Sequence, residues 1–289
     1  MPSATVATPD PTPEIPIEKF EVYATGVDHP ECVTFARDGI LWAGGEAGQI
    51  YRIGSDRKPE LVTTLGGFCA GIAFAPDGSL FVCNPALGIV RVQPSGAHDI
   101  FATRGTGEKL ICPNFGVFDG AGNYYVTDSG QWKKNNGRLL WYRPDGTSEL
   151  LAGPMGYTNG LALSADDRSL FMVESNTDSV WRFQLTPDGG VAAKGVYATN
   201  CGRFPDGLAL DDAGNLYVCC YASDEVWRIS PAGEKTLFAW DRWAILLGSP
   251  TNMAFGGPNR DELYIANLAR TTITRAQVGI RGQPLAHQR

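Results

Sequence analysis

Short apolar runs separated by Asp-Gly-type turns recur along this chain. The clearest copy is Phe204-Pro205-Asp206-Gly207-Leu208-Ala209-Leu210, followed by Asp211-Asp212-Ala213-Gly214 and then Asn215-Leu216-Tyr217-Val218. It reads as strand, tight turn, strand. The same outline begins at Glu31, Ala70, Asn114, Asn159 and Thr251. With Asp206, these six slot residues lie 39, 44, 45, 47 and 45 positions apart. Each copy continues into a third run with apolar alternation, from Gln49–Ile53 in the first copy to Thr271–Arg275 in the last. A fourth run closes the first five copies, for example Glu60–Thr63 and Lys235–Ala239.

Four short strands per repeat of this period is the sequence form of a propeller blade. The pattern predicts an all-β chain: a six-bladed β-propeller with four-stranded antiparallel blades. The last copy lacks a fourth strand, and an N-terminal strand near Phe20–Tyr23 can supply it, closing the ring and protecting the sheet edge. No amphipathic stretch of helix length separates the strands, so a parallel βαβ fold does not suit the repeats. The expected organisation is an N-terminal tail at 1–16, one propeller domain at 17–280 and a C-terminal tail at 281–289.

Composition agrees with many short strands: the 289 residues include 35 Gly and 19 Pro, many of them at the turns. The net charge of −7 with scattered basic residues leaves no electrostatic footprint for nucleic acid. No apolar run approaches the roughly 20 residues of a membrane helix. Met1–Pro16 lacks a basic start and an apolar centre, unlike a signal peptide. The seven cysteines are odd in number, contain no CxxC, and fall largely inside apolar strands. Reduced thiols in a cytoplasmic protein suit that pattern better than disulfides or zinc. Of the three histidines, His287 falls in the terminal segment and His98 in a polar loop, and no GxSxG elbow supports a Ser-His-Asp reading through His29 or His98.

In a propeller the first strand of each blade lines the central channel, so equivalent positions converge at one end of the axis. Four of the six slots carry oxygen side chains suited to a cation: Glu31, Asn114, Asn159 and Asp206. Taken singly, Asp or Asn before a strand is also an ordinary turn residue. Four in register argue for a ring, and a hard cation takes 6–8 oxygens from such groups and water. Two carboxylates in a narrow channel would otherwise repel one another and suffer desolvation. A second set follows the second strand of each blade, with Asp128 the candidate to support a ligand or line the pocket. Phe115, Trp132, Trp240 and Trp243 are candidates for an apolar wall at the mouth, and the apolar insertion Trp240–Ser249 for a lid.

These residues resemble a known family. Pro30-Glu31, Thr158-Asn159-Gly160-Leu161, Phe204-Pro205-Asp206-Gly207 and Phe255-Gly256-Gly257 are similar to the senescence marker protein/gluconolactonase/luciferin-regenerating enzyme family over about residues 20 to 275. More distantly the chain resembles the strictosidine synthase-like and diisopropylfluorophosphatase propellers. The resemblance implies one divalent metal held by Glu31, Asn159 and Asp206, with Asn114 near the metal and its water or substrate, and Asp206 as general base. All-oxygen ligation puts Ca²⁺ first, with Mg²⁺, Mn²⁺, Zn²⁺ or Fe²⁺ as alternatives. Two departures bear on substrate. The first ligand reads Glu31-Cys32-Val33-Thr34-Phe35 in place of Glu-Gly-Pro-x-Trp, and Cys112-Pro113-Asn114-Phe115 lacks the family's sugar-contacting Arg.

The expectation is therefore a divalent-metal-dependent hydrolase of a lactone or related ester less polar than gluconolactone. The metal would polarise the carbonyl, Asp206 and Asn114 would be catalytic, and Asp128, Phe115, Trp132 and Trp243 would bind substrate. The alternatives are a calcium-binding or scaffold propeller without turnover, and a strictosidine synthase-like non-hydrolytic enzyme. Fold alone cannot decide among them.

Overall fold

The computed structural model describes residues 11–289. The first ten positions of the expected N-terminal tail lie outside the described residues. Six four-stranded antiparallel sheets form the blades of a closed ring. Blade 1 is built from Cys32–Phe35, Leu41–Gly44, Gln49–Ile53 and Pro59–Thr64. The next four blades begin with the inner strands Gly71–Phe74, Pro113–Phe118, Thr158–Leu163 and Pro205–Leu210. Blade 6 is Pro250–Gly256, Glu262–Asn267 and Thr272–Gln277, completed by the N-terminal strand Phe20–Thr25. That strand pairs Phe20 with Ala276 and Thr25 with Thr272, so the two ends of the propeller share one sheet, with the N-terminal strand as its outer edge.

The turns between first and second strands form for a local reason. The Asp side chain folds back onto the backbone two residues on, and Gly takes the left-handed conformation that closes the turn. Asp38 accepts from the Ile40 amide at 3.0 Å, and Gly39 has φ +82°. Asp211 accepts from the Ala213 and Asn215 amides at 2.9 and 2.8 Å.

Blade-on-blade packing supplies the core. Six apolar clusters fill the spaces between neighbouring blades, one per interface. The cluster between the last blade and the first contains Ala24, Val33, Tyr264 and Ala266, so the N-terminal strand helps to bury the ring's seam. All seven cysteines are unpaired thiols, and every one except the half-buried Cys112 is buried. Among the described residues, no helix is long and apolar enough to cross a membrane.

Among the described residues, both expected tail segments pack on the propeller. The Glu14 and Ile15 amides donate to Leu237 and Phe238 carbonyls on the outer strand of blade 5. Residues 281–289 lie across the inner strands at one end of the channel. Gly282 bridges to Asp211, and the Gln283 side chain is held by Leu163 and Ala165. His287 is buried, its Nε2 is 2.8 Å from the Phe35 carbonyl oxygen, and its own carbonyl accepts from Arg37 Nε at 2.7 Å. The polar look of this segment hid its role, because its hydrogen bonds go to inner-strand backbone of blades 1, 4 and 5.

Candidate metal centre at the channel mouth

The slot residues reach the opposite end of the channel because the inner strands are irregular there. In blades 3 to 6 the pairing register shifts at Asn114, at Asn159-Gly160, at Asp206-Gly207 and at Thr251. Such a bulge leaves the extra residue out of the ladder and re-aims its side chain. Glycine after the slot lets neighbouring blades approach. A Cβ on Gly160 would lie 2.2 Å from the Asp206 carbonyl oxygen, and one on Gly207 would lie 2.5 Å from that of Thr251. The Asn-Gly and Asp-Gly pairs thus seat each slot residue against the next.

Glu31, Ala70, Asn114, Asn159, Asp206 and Thr251, one from each blade, all line a cavity of about 420 Å³. No lysine, arginine or histidine lines it among the described residues. Burial and the neighbouring Asp206 carboxylate hold the Glu31 carboxyl well above the usual range, with the Thr251 hydroxyl opposing. Burial pushes Asp206 up to about 8, with the Asn159 amide opposing.

Two buried oxygens, Glu31 Oε2 and Asn159 Oδ1, have no hydrogen-bond partner among the described residues. The amide end of Asn159 is anchored, since Nδ2 donates to Ser175 Oγ at 3.2 Å and that hydroxyl donates to the Pro205 carbonyl at 2.7 Å. The anchor fixes which atom of Asn159 faces the cavity. Buried acceptors without donors are costly, and a cation relieves such a cost. The four oxygen-bearing slots therefore fit a hard cation, with one carboxylate-rich side and room for water or substrate.

The expected substrate residues divide. Trp132 lines the cavity. Asp128 does not: it is fully buried behind Cys112, accepting from the Ile111 and Cys112 amides and pairing with Arg138 Nη2 at 2.6 Å. It holds the entry to the Asn114 strand. Phe115 faces the lower channel, beyond the ring, because alternate strand residues face opposite ways. Trp243 is 73% exposed and outside the cavity. The 240–249 insertion folds back onto blade 6 and forms no lid. Asp241 accepts from the Leu246 and Leu247 amides, and Leu247 is buried in the core. Trp240 ends the outer strand of blade 5.

A collar missed in the sequence completes the wall. The residues two before the slots in blades 2 to 5, Phe68, Cys112, Tyr157 and Phe204, all line the cavity. Alternate residues share a face, so aromatics at slot minus two in three of the six repeats were a readable signal. Tyr157 and Phe204 have φ of +60° and +54°, a conformation that costs bulky residues on the order of 1–3 kcal/mol each. Burial pushes the Cys112 thiol up to about 11, against a role as a thiolate nucleophile. Outside the cavity, Asp28, His29 and Glu46 bring their ligating atoms within 4.8 Å of one another, and Asp28 is already bonded to His29 and Gln49.

The slot side chains of a ring-closed propeller thus converge in one cavity at a channel mouth. The profile of the SMP-30/Gluconolactonase/LRE-like region matches residues 29–269, and the chain belongs to this family. The lactonase drp35 of Staphylococcus saprophyticus is 31% identical over 81% of this chain and 77% of its own. The 6-deoxy-6-sulfogluconolactonase of Pseudomonas putida is 28% identical over 82% of each. In fold, the calcium-binding protein regucalcin of Agrobacterium tumefaciens superposes with a TM-score of 0.77 at 16% identity, covering 96% of this chain and 99% of its own.

Proposed function

We propose that this chain is a divalent-cation-dependent hydrolase of lactones or closely related esters. The observation that carries the reading is the pair of partnerless buried oxygens, Glu31 Oε2 and Asn159 Oδ1, beside a second buried carboxylate, Asp206. Relatives named as lactonases support the reaction class. Glu31, Asn159 and Asp206 would hold the cation, with Asn114 beside them. All-oxygen donors and a structural relative described as calcium-binding favour Ca²⁺. The bound cation would supply Lewis-acid polarisation of the carbonyl.

The chain's own residues do the rest. Asp206 takes a proton from a water as its oxygen bonds to the acyl carbon. The Asn114 amide faces the carbonyl oxygen as negative charge develops there. The ring C–O bond breaks, and Asp206 returns the proton to the departing oxygen, leaving a hydroxy acid. Asn159, anchored through Ser175, keeps its oxygen directed into the site.

The test is a screen of lactones and aryl esters with protein freed of metal, then supplied with Ca²⁺, Mg²⁺ or Mn²⁺. Turnover that appears with the cation and falls about 10²–10⁴-fold in Asp206→Asn is expected. Cation binding without turnover on any substrate would instead identify a binding propeller.

A further inference from the structure

The collar above the ring is chemically one-sided. Phe68, Tyr157 and Phe204 stand two residues ahead of their slots, and Trp132 reaches over from blade 3. Trp132 meets Tyr157 edge-on with ring centroids 4.9 Å apart and lies tilted on Phe204 at 5.1 Å. Trp132 remains 42% exposed, so part of its surface is open to a ligand.

Two hydroxyls beside the aromatics are already engaged. The Ser175 hydroxyl bonds Pro205 and Asn159, and the Thr251 hydroxyl donates to the Glu31 carbonyl at 2.8 Å. A polyhydroxylated ring entering this wall would surrender its bonds to water with few returned. A phenyl or alkyl group would leave water and stack on the open aromatic surface. The cavity of about 420 Å³ lies in the size range of small-molecule sites.

We propose that Trp132, Tyr157, Phe204 and Phe68 select lactones bearing an aromatic or alkyl substituent, and that sugar lactones are poor substrates. This inference rests on the hydrolase reading above. The test compares γ-phenyl-γ-butyrolactone with glucono-1,5-lactone on the Ca²⁺-loaded protein. A kcat/KM ratio of at least about tenfold in favour of the phenyl lactone, equivalent to ~1.4 kcal/mol, is expected. Trp132→Ala and Phe204→Leu should each lower that ratio by about tenfold. Trp132 is half-exposed, so its replacement leaves the blade core intact.

Calorimetry on the metal-free protein with the unreactive γ-phenyl-γ-butyrolactam separates the two ideas. No turnover of either lactone together with tight lactam binding that Trp132→Ala abolishes would overturn the hydrolase reading and keep the collar. Preference for gluconolactone, or lactam binding indifferent to Trp132→Ala, would overturn the collar.

Discussion

Replacing Asp206 by Asn is expected to stabilise the cation-free protein at pH 8, although it removes a residue of the site. Burial raises the Asp206 carboxyl from 3.8 to about 8 in the folded chain. An acid whose folded pKa is raised contributes its full stability below the unfolded pKa and loses it as pH rises through the folded one. The loss therefore runs from about pH 4 to about pH 8. At 1.36 kcal/mol per pH unit, the roughly four-unit shift is on the order of 5 kcal/mol. About 2.1 cal/mol/K per residue over 289 residues makes ~0.6 kcal/mol/K, so the effect is on the order of 8 °C in Tm. Halving it for water admitted by the open cavity leaves ~4 °C. A cation beside the carboxylates removes their penalty, so Ca²⁺ should raise Tm far more at pH 8 than at pH 4.5. The assay is thermal unfolding of dialysed protein with and without Ca²⁺ at the two pH values, for wild type and Asp206→Asn. An equal Ca²⁺ effect at both pH values, or a metal-free Asp206→Asn protein less stable than wild type at pH 8, would mean that burying the Asp206 carboxylate carries no such penalty.

Packing at the site, behind it and at the far end of the channel leads to three further expected outcomes. Gly160→Ala places a methyl 2.2 Å from the Asp206 carbonyl oxygen, and should weaken Ca²⁺ binding about 10–100-fold by calorimetry; unchanged affinity would mean that the close approach does not position Asp206. Asp128→Asn removes the buried one of Arg138's two carboxylate partners and leaves the exposed Glu108 at 2.7 Å, and should cost about 1–3 kcal/mol in urea unfolding; a loss under about 0.5 kcal/mol would show the pair to be dispensable. Burial lowers the His287 pKa below 6.5, so the unfolded chain takes up a proton first as pH falls, and stability drops from about pH 6.5 downward. The wild type should lose more stability than His287→Phe between pH 7.5 and 5 in matched denaturant titrations, and parallel curves would remove His287 from the account.

The repeat was legible because a blade is made locally. Apolar alternation, Asp-Gly turns and short connections specify neighbouring strands without reference to anything distant. Closure by the N-terminal strand was legible too, since the sixth repeat lacked a fourth strand and Phe20–Tyr23 offered one. The ring of Glu31, Asn114, Asn159 and Asp206 could be read once the copies were aligned, because symmetry turns equal repeat positions into neighbours.

Other features depended on contacts that the repeat does not encode. Asp128 looked equivalent to a pocket residue until the buried guanidinium of Arg138, with the Ile111 and Cys112 amides, showed what its carboxylate holds. Trp243 looked like a wall residue, but the Asp241 carboxylate folds its segment back onto blade 6. His287 looked like tail until the inner-strand carbonyl of Phe35 met it. Periodicity alone specified the blades, their number and the convergence of the slot residues on one end of the channel. Which aromatics form the collar, which carboxylates serve as struts and where the C-terminal segment lies were set by long-range contacts. Those outcomes turn on bulges and interblade hydrogen bonds, whose partners lie far apart in the chain.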